Sequence, residues 1–172
     1  MTQTMDKQEE TMMLDDAREV VITRVFDAPC ALVYAAWTDP EQLKRWYAPN
    51  GCTIEIAKFN FRVGGELHTC IRNPKFGDCW CTGVFQEIVV PERLVYTLSF
   101  ADEQGNFMEP AEMGMKADWP RETTVTVTFV EQGGKTTVTL HQTVLESLAK
   151  QTGAYPSWLE MLDRLNELVT QS

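Results

Sequence analysis

The sequence predicts an α+β fold in which a curved antiparallel sheet of about seven strands wraps around a long C-terminal helix. Three observations predict it. The segments run in the order strand, two short helices, six strands and one long helix. Turn sequences such as Gly64-Gly65 and Gly133-Gly134 separate the later strands, which is typical of antiparallel hairpins. The C-terminal helix carries the only long apolar stripe that could cover the apolar face of such a sheet.

The bulk composition limits the classes of function. The chain has 172 residues, 44% of them hydrophobic, and a formal charge of −10. A chain of this length can bury roughly 70% of its unfolded surface. The acidic charge repels nucleic acid and anionic membranes, so neither is predicted as a partner. We find neither an apolar run long enough to span a membrane nor a secretory signal, and we therefore expect a cytoplasmic protein whose five cysteines are free thiols.

The chain divides into a tail and one continuous region. Residues 1–17 are polar and acidic, and we expect them to form a mobile N-terminal tail. Residues 18–172 contain no internal repeat or linker, which indicates a single domain.

The first elements of that domain have clear signals. Residues 19–26 (EVVITRVF) are rich in β-branched residues and predict a strand. Residues 28–37 and 38–49 predict two short helices. Asp39 can cap the second of these helices, and Pro40 fits its first turn.

The middle of the chain is predicted to be a run of strands. The six candidates lie at residues 53–61, 65–72, 79–89, 93–100, 123–131 and 136–143. The interval 101–122 is long for a loop, and long loops in compact domains often serve function. Its methionines Met108, Met113 and Met115 could form an adaptable lid, since methionine repacks easily. A variable surface insertion is the alternative interpretation.

The C-terminal segment predicts an amphipathic helix over residues 157–169. Trp158, Leu162 and Leu165 recur at steps of three and four residues, so they share one face. A short helical turn over 146–153 precedes this helix.

Several motifs in this order carry a family resemblance. They are ITRVFDAP (22–29), VYAAWTDPEQLKRWYAP (33–49), FRVGGEL (61–67), PERLVYT (91–97), GGKTTVTL (133–140) and YPSWLEMLDRL (155–165). Together they resemble the SRPBCC superfamily, also called START-like or birch-pollen-allergen-like, in the branch related to the C-terminal domain of the activator of heat-shock protein 90 ATPase. The resemblance implies a helix-grip fold with a cavity between sheet and C-terminal helix. The chain departs from the common pattern at Asn60 and Ser157, where many relatives carry Asp and Gly.

The first hypothesis for function is the binding of a small hydrophobic ligand, lipid-like or aromatic, in that cavity. It depends on the number of bulky apolar side chains in the chain, since large rings can wall an apolar pocket. Core packing is the alternative for each of them. The side chains expected to contact the ligand are Trp46, Phe61, Leu67, Trp80, Val84, Phe85, Tyr96, Trp119 and Trp158.

Two other classes of function stay open. The superfamily's co-chaperones suggest a protein-interaction module that binds a chaperone through the acidic outer face of the sheet. A cyclase-like or dehydratase-like enzyme acting on an apolar substrate is the other alternative. We predict no cofactor and no catalytic residue, because His141 and Glu87 are expected to point outward from their strands. An exposed edge strand and the aromatic 101–122 loop are compatible with a homodimer.

The remaining motif is His68 and Cys70 followed by Cys79 and Cys81. If Arg72 pairs with Cys79 across a hairpin, Cys70 lies opposite Cys81 and all four side chains share one face. Trp80 would then lie on the opposite, apolar face.

That cluster does not by itself predict a metal site. Residues two apart on a strand are separated by about 6.6 Å, whereas two thiolates on one zinc ion lie within roughly 4 Å of each other. A β-bulge at Cys79 and Cys81 would be needed to bring the sulfur atoms together. We therefore predict free side chains and no metal. A Cys70–Cys81 disulfide is disfavoured in a reducing cytoplasm.

Overall fold

The computed structural model of the chain describes residues 18–115 and 118–170. The tail predicted for residues 1–17 lies outside them. Within the described residues, seven strands form one antiparallel sheet: β1 (Glu19–Phe26), β2 (Thr53–Phe59), β3 (Glu66–Asn73), β4 (Gly77–Val89), β5 (Arg93–Phe100), β6 (Thr123–Gln132) and β7 (Lys135–Leu145). The helices are α1 (Cys30–Thr38), α2 (Pro40–Leu43), α3 (Glu146–Thr152) and α4 (Ala154–Thr170), with a 3₁₀ turn at Pro110–Met113. The predicted helix-grip α+β fold is confirmed.

The two short helices connect opposite edges of the sheet. The strand order is β1-β7-β6-β5-β4-β3-β2, so α1 and α2 carry the chain from one edge to the other. Asp39 caps α2 by accepting a hydrogen bond from the Glu41 N–H at 3.1 Å. This helix ends at Leu43, earlier than predicted, and the chain continues as turns. The Asn50 N–H then donates to Glu160 of α4 at 2.9 Å, which fixes these turns against the long helix.

The long helix α4 covers the concave face of the sheet. Its buried side chains are Trp158, Met161, Leu162, Leu165 and Val169. Burying a large apolar side chain stabilises a fold by about 1.5–3 kcal/mol, so this stripe is a major source of the free energy that holds helix and sheet together. On the facing strands, inward residues such as Val125, Val127 and Leu140 are fully buried, while the threonines that alternate with them are not.

The hairpin of β3 and β4 has a different register from the predicted one. Arg72 lies opposite Asp78 and Cys70 lies opposite Trp80. The prediction that Arg72 pairs with Cys79 is therefore wrong by one residue. Because side chains alternate along a strand, a slip of one residue moves every side chain of β4 to the other face of the sheet.

The turn between β3 and β4 explains why the observed register differs by one residue from the predicted one. The side chain of Asn73 accepts hydrogen bonds from the N–H groups of Lys75 and Phe76, at 2.9 and 3.2 Å. Gly77 has φ +93°, a left-handed conformation that side-chain-bearing residues rarely adopt. Asn73 and Gly77 are thereby paired, and the loop between them is shorter than the predicted 73–78 connection.

The corrected register separates the thiols from the tryptophan. Cys79 and Cys81 face inward, whereas Cys70 and His68 lie with Trp80 on the outer face. The Trp80 ring lies against the His68 ring at a centroid distance of 4.9 Å, with the two ring planes tilted by 39°. The predicted positions of Trp80, Cys79 and Cys81 are therefore wrong, whereas His68 and Cys70 share one face of β3 as predicted.

The His68–Cys70–Cys79–Cys81 cluster does not form. The pairing of β3 with β4 is continuous through both inward cysteines, and β4 shifts register only later, between Phe85 and Glu87. In the part of the chain that the structure describes, no three His, Cys, Asp or Glu side chains gather in a metal-binding arrangement. All five cysteines lie in this part and are free thiols.

Within 18–115 and 118–170, no helix combines the length and the apolar character that a membrane span requires.

Candidate functional site

A cavity of about 190 Å³ lies between the N-terminal half of α4 and the inner face of β3, β4 and β5. We call it the main cavity. Its lining residues are Tyr47, Thr69, Ile71, Cys79, Cys81, Leu98, Phe100, Met115, Trp119, Gln142, Ala154, Ser157, Trp158 and Met161. None of these side chains is a carboxylate, an imidazole, an ammonium or a guanidinium group. The described wall is therefore uncharged and mostly apolar, as in small-molecule pockets.

The main cavity opens into a wider groove of about 530 Å³, here called the mouth groove. The two spaces share Ile71, Cys79, Met115 and Ser157 in their walls. Phe76, at the tip of the β3–β4 hairpin, lines the mouth groove and is 89% exposed. A molecule can thus reach the main cavity from solvent past the hairpin tip and the 3₁₀ turn.

The 101–122 loop contributes to both spaces. Met113 lines the mouth groove and Met115 lines the mouth groove and the main cavity, whereas Met108 lines neither. At the end of the loop, the Arg121 guanidinium lies 2.9 Å from the Glu109 carboxylate. The lid of three methionines remains a prediction. Two of them, Met113 and Met115, line the mouth groove through which the main cavity opens.

A much smaller space continues beyond the main cavity. It has about 10 Å³ and shares Tyr47 and Thr69 with the main cavity. Leu67, Phe85 and Tyr96 also line it. A volume of roughly 10–15 Å³ is enough for one water molecule, so this space extends the site without accommodating a ligand.

Two tyrosines place a polar group at this inner end. The hydroxyl groups of Tyr47 and Tyr96 lie 2.9 Å apart and are buried. Burial raises the pKa of both phenols well above the ordinary value, so both stay protonated. Their hydrogen bond uses one of the two O–H groups. The other O–H has no acceptor among the described residues. When Tyr96 donates to Tyr47, the unused O–H is that of Tyr47, which lines the main cavity and can donate to an oxygen atom of a ligand.

A second polar group in the wall, the Gln142 amide, is paired through its oxygen and one of its N–H groups. Gln142 donates to the Thr123 hydroxyl at 3.0 Å and accepts from the Trp158 indole N–H at 2.8 Å. These bonds join β6, β7 and α4 behind the cavity. Because the Trp158 donor is already paired, the ring presents an apolar surface to the cavity.

Two thiols also lie in the wall, in addition to the hydroxyl groups of Thr69 and Ser157. Cys79 lines both the mouth groove and the main cavity, and Cys81 lies deeper. The neighbouring Cys81 thiol lowers the pKa of Cys79, and burial opposes this shift. The same interaction, together with burial, raises the pKa of Cys81. Cys79 is therefore the more readily ionised member of the pair.

The nine side chains predicted to contact a ligand occupy five different environments. Trp119 and Trp158 line the main cavity, and Leu67, Phe85 and Tyr96 line the small space beyond it. Trp46 is fully buried in the core, where its N–H donates to the Ala36 carbonyl at 2.9 Å. Phe61 packs against Phe59 and Phe85 outside both spaces. Trp80 and Val84 lie on the outer face.

The titratable side chains considered for catalysis point away from the cavity. His141 pairs with Glu19 at 2.8 Å, and Glu87 pairs with Arg93 at 3.1 Å. All four side chains are more than a third exposed.

Several residues that line the main cavity were not predicted from the sequence. They include Tyr47, Thr69, Cys79, Cys81, Leu98, Gln142, Ala154 and Ser157. A signal for the cysteines was present, because Asn73 and Gly77 flank only Pro-Lys-Phe and thus indicate a short hairpin loop. With that loop, alternation along β4 places Cys79 and Cys81 inside.

A wider groove elsewhere is a weaker candidate. It measures about 740 Å³ and lies at the opposite end of β5, around Glu92, Arg93 and Glu131. Glu131 already accepts the Cys30 N–H at 2.6 Å. This groove is an open, charged surface feature outside the space between sheet and α4.

Comparison with known proteins identifies the family. Residues 27–170 match the model of the family described as Activator of Hsp90 ATPase homolog 1-like protein. The chain belongs to this family. Its membership confirms the resemblance to the SRPBCC, or START-like, superfamily and to the branch related to the activator of heat-shock protein 90 ATPase. A search of curated proteins finds none that matches this member of the Activator of Hsp90 ATPase homolog 1-like family.

Solved structures share the fold of this family member. A protein from Arthrobacter aurescens is 23% identical, with a TM-score of 0.77 over 92% of this chain and 89% of that one. A protein from Chromobacterium violaceum is 24% identical, with a TM-score of 0.73 over 89% of this chain and 97% of that one. A protein from Staphylococcus epidermidis is 25% identical, with a TM-score of 0.73 over 89% and 90%.

Proposed function

We propose that the protein binds a small apolar molecule that carries one hydrogen-bond acceptor, in the main cavity between sheet and α4. The observation that carries this proposal is the pairing of an uncharged aromatic wall with an unused tyrosine O–H at its inner end. An apolar wall favours an apolar ligand, and a fixed donor orients it.

The size of the main cavity narrows the ligand class. An engineered apolar cavity of about 150 Å³ is known to bind benzene, and the main cavity measures about 190 Å³. A single aromatic ring with a short side chain matches this volume. A longer lipid-like chain would extend into the mouth groove.

The energetics support binding by burial with one orienting bond. Each Å² of apolar surface removed from water contributes about 25 cal/mol. A hydrogen bond from the Tyr47–Tyr96 pair to a carbonyl oxygen contributes about 1 kcal/mol. The apolar wall therefore supplies most of the affinity, and the tyrosines select ligands that bear an oxygen atom.

A calorimetric titration with 4-phenyl-2-butanone tests this proposal. This ligand combines a phenyl ring with a ketone, and butylbenzene is a matched ligand without the oxygen atom. We expect saturable one-to-one binding of both, tighter for the ketone. Absence of saturable binding of either ligand would overturn the proposal.

The two alternative functions have less support. An enzyme of the cyclase or dehydratase kind needs an acid or base, and no carboxylate or imidazole lies in the described wall of the main cavity. A chaperone partner is suggested by the family's name, through an acidic outer face. On that face Lys58 pairs with Glu66 at 2.6 Å, and Arg72 pairs with both Glu55 and Asp78. These three carboxylates are therefore each paired with a cationic side chain. A pull-down with heat-shock protein 90, followed by an ATPase assay, measures this alternative directly.

A further inference from the structure

The small space beyond the main cavity combines apolar walls with several hydrogen-bonding side chains. These side chains are Trp37, Tyr47, Thr69 and Tyr96. The volume of about 10 Å³ is too small for a whole ligand and sufficient for one water-sized group. A single oxygen atom in this space is therefore surrounded by these side chains.

Trp37 brings an indole N–H without a partner to this space. The residue lies on α1 and is 2% exposed, and its Nε1 is one of two buried side-chain polar atoms that have no hydrogen-bond partner among the described residues. The other is the Tyr34 hydroxyl, and Tyr34 lines neither the small space nor the main cavity. Buried polar groups in native proteins nearly always have a partner. The Trp37 N–H therefore indicates that an acceptor binds beside it.

Thr69 contributes a hydroxyl group from the sheet. It lies on the inner face of β3 opposite Cys81, is 4% exposed, and lines both the small space and the main cavity. Its hydroxyl forms no hydrogen bond with another described residue. A threonine hydroxyl can accept a hydrogen bond as well as donate one, whereas an indole N–H can only donate. Thr69 can thus accept a hydrogen bond from an O–H group of a ligand.

Tyr47 lies next to both of these residues. Its ring meets that of Trp37 edge-on, with the ring centroids 6.3 Å apart. Tyr47 and Thr69 line both spaces, so they lie where the small space and the main cavity meet. When Tyr96 donates to Tyr47, the Tyr47 O–H is unused. Two donors and one hydroxyl that can accept are thus grouped around one water-sized position.

We propose that Trp37, Tyr47 and Thr69, here called the oxygen subsite, bind the hydroxyl group of an apolar alcohol. This inference rests on the proposed function and deepens it by naming the class of ligand. The alcohol oxygen accepts hydrogen bonds from Trp37 and Tyr47, and its O–H donates to Thr69. The apolar remainder of the molecule lies in the main cavity. Trp37 and Thr69 are therefore specificity-determining residues in addition to Tyr47.

The oxygen subsite matches an alcohol more fully than a ketone. A carbonyl oxygen has two lone pairs and no proton, so it satisfies Trp37 and Tyr47 but gives Thr69 nothing to accept. A hydroxyl group satisfies all three residues. A site that binds a ligand hydroxyl discriminates against analogues that lack it, because its buried polar groups are then left unpaired.

A carboxylate is a poorer match than either neutral group. No cationic side chain is among the described residues that line the main cavity or the small space. Burying an ionised group without a partner is costly. The oxygen subsite therefore favours a neutral ligand.

Water is a second source of an oxygen atom with the same hydrogen-bonding groups. A water molecule at this position satisfies the oxygen subsite of the free protein. An alcohol that reaches the subsite replaces this water with its own oxygen atom, whereas a ligand that stops in the main cavity leaves the water in place. The two cases differ at the Trp37 N–H and can be measured there.

Calorimetric titration of three matched ligands tests the preference for a hydroxyl group. They are 4-phenyl-2-butanol, used as separate enantiomers, 4-phenyl-2-butanone and butylbenzene. For wild type, we expect the tighter-binding enantiomer of the alcohol to exceed the ketone in affinity by about threefold or more, with butylbenzene the weakest. Alcohol enantiomers that both bind no more tightly than the ketone would overturn the proposal.

Thr69→Val removes the hydroxyl group at nearly the same side-chain volume. We expect the affinity for the alcohol to fall by about fivefold, while the affinities for the ketone and butylbenzene stay within about twofold. Thr139→Val is the matched control, because Thr139 lies on the outer face of β7 and alternates with the buried Val138 and Leu140. It should leave all three affinities unchanged. Equal losses for all three ligands in Thr69→Val would show that Thr69 acts only through packing and would overturn its assignment.

NMR of the Trp37 indole proton distinguishes the ligand oxygen from a water molecule. With the alcohol bound, we expect an NOE from this proton to the H–C–O proton of the ligand, and no cross-peak to water. With butylbenzene bound, the cross-peak to water should persist. The Trp46 indole N–H donates to the Ala36 carbonyl at 2.9 Å and is the internal reference, which should show neither signal. A water cross-peak at Trp37 that persists with the alcohol bound would mean that water fills the oxygen subsite, and the proposal would be overturned.

The three ligands also separate this inference from the proposed function. If the ketone binds more tightly than butylbenzene but the alcohol binds no more tightly than the ketone, the oxygen subsite is overturned and the proposed function stands. If none of the three ligands shows saturable binding, both proposals fail.

Discussion

The hydroxyl groups of Tyr47 and Tyr96 lie 2.9 Å apart, buried between the main cavity and the small space beyond it. Two phenols that share one hydrogen bond keep one O–H unused, and neither phenol can ionise at ordinary pH because burial raises both pKa values. This pair therefore remains a neutral hydrogen-bond donor in an apolar surrounding, where such bonds are strongest.

The tyrosine pair should select for ligands with an oxygen atom. In Tyr47→Phe the remaining hydroxyl of Tyr96 loses its partner, and the orienting donor is removed from the wall of the main cavity. We expect the affinity for 4-phenyl-2-butanone to fall by about tenfold, equivalent to about 1.4 kcal/mol. The affinity for butylbenzene should stay the same within about twofold. If calorimetry shows an equal loss of affinity for both ligands, the tyrosine donor does not select for ligands with an oxygen atom.

Filling the entrance should abolish binding. Ser157 lies on α4 in the wall shared by the mouth groove and the main cavity. Ser157→Phe places a ring in space that a ligand would occupy, so we expect affinity to fall by more than about tenfold. Ser157→Ala is the matched control and should bind normally. If the phenylalanine variant has a native circular dichroism spectrum and an unchanged affinity, the ligand does not bind in this cavity.

The Gln142–Trp158 hydrogen bond should stabilise the contact between sheet and α4. Trp158→Phe leaves the buried Gln142 oxygen without a partner, which costs about 1–3 kcal/mol in the free energy of unfolding, in addition to lost packing. Combining it with Gln142→Leu removes both partners, so the double variant should lose less stability than the sum of the single ones. Urea denaturation measures all three. Strict additivity would mean that this bond carries no coupling energy.

The ion pair between Arg18 and Glu146 should make stability depend on pH. A hydrogen bond from Arg18, at 2.6 Å, lowers the pKa of Glu146. Since this carboxyl has a lower pKa in the folded than in the unfolded state, its contribution is present above the unfolded value and disappears as pH falls through the folded one. Wild type should therefore exceed Glu146→Gln in unfolding free energy at pH 7, and the difference should vanish with acidification.

The control for this pH dependence is Glu103→Gln, which changes an exposed loop carboxylate. Its stability relative to wild type should stay nearly constant with pH. A difference for Glu146→Gln that stays equally large at acid pH would contradict the ion-pair assignment.

The fold could be predicted because its signals are local and agree with one another. The β-branched stretch 19–26 became β1 with the predicted bounds, and the apolar stripe from Trp158 to Val169 became the buried face of α4. The alternation of apolar and polar residues in a strand, and their periodicity in a helix, indicate which face of each element is apolar. The family motifs then determined how these elements are arranged.

The site was harder to predict because it depends on register and on long-range contacts. A slip of one residue at Asn73 exchanged the positions of Trp80 and Cys81 relative to the cavity, although each strand was correctly located. The size of the core was a second difficulty. Trp46 is a large aromatic residue of the kind that often lines cavities. Its ring centroid lies 4.6 Å from that of Trp37, however, so it belongs to a packed aromatic cluster in the core.

The most direct test of the central claim is an NMR measurement of intermolecular NOEs between 4-phenyl-2-butanone and the protein. A ligand in the main cavity should show NOEs from its phenyl protons to the Met115 and Met161 methyl groups and to the Trp158 indole, all of which line that space. Two results would contradict the claim that this cavity is the binding site. One is saturable chemical-shift changes confined to the outer face, around Trp80 and His68. The other is the absence of intermolecular NOEs at saturating ligand concentration.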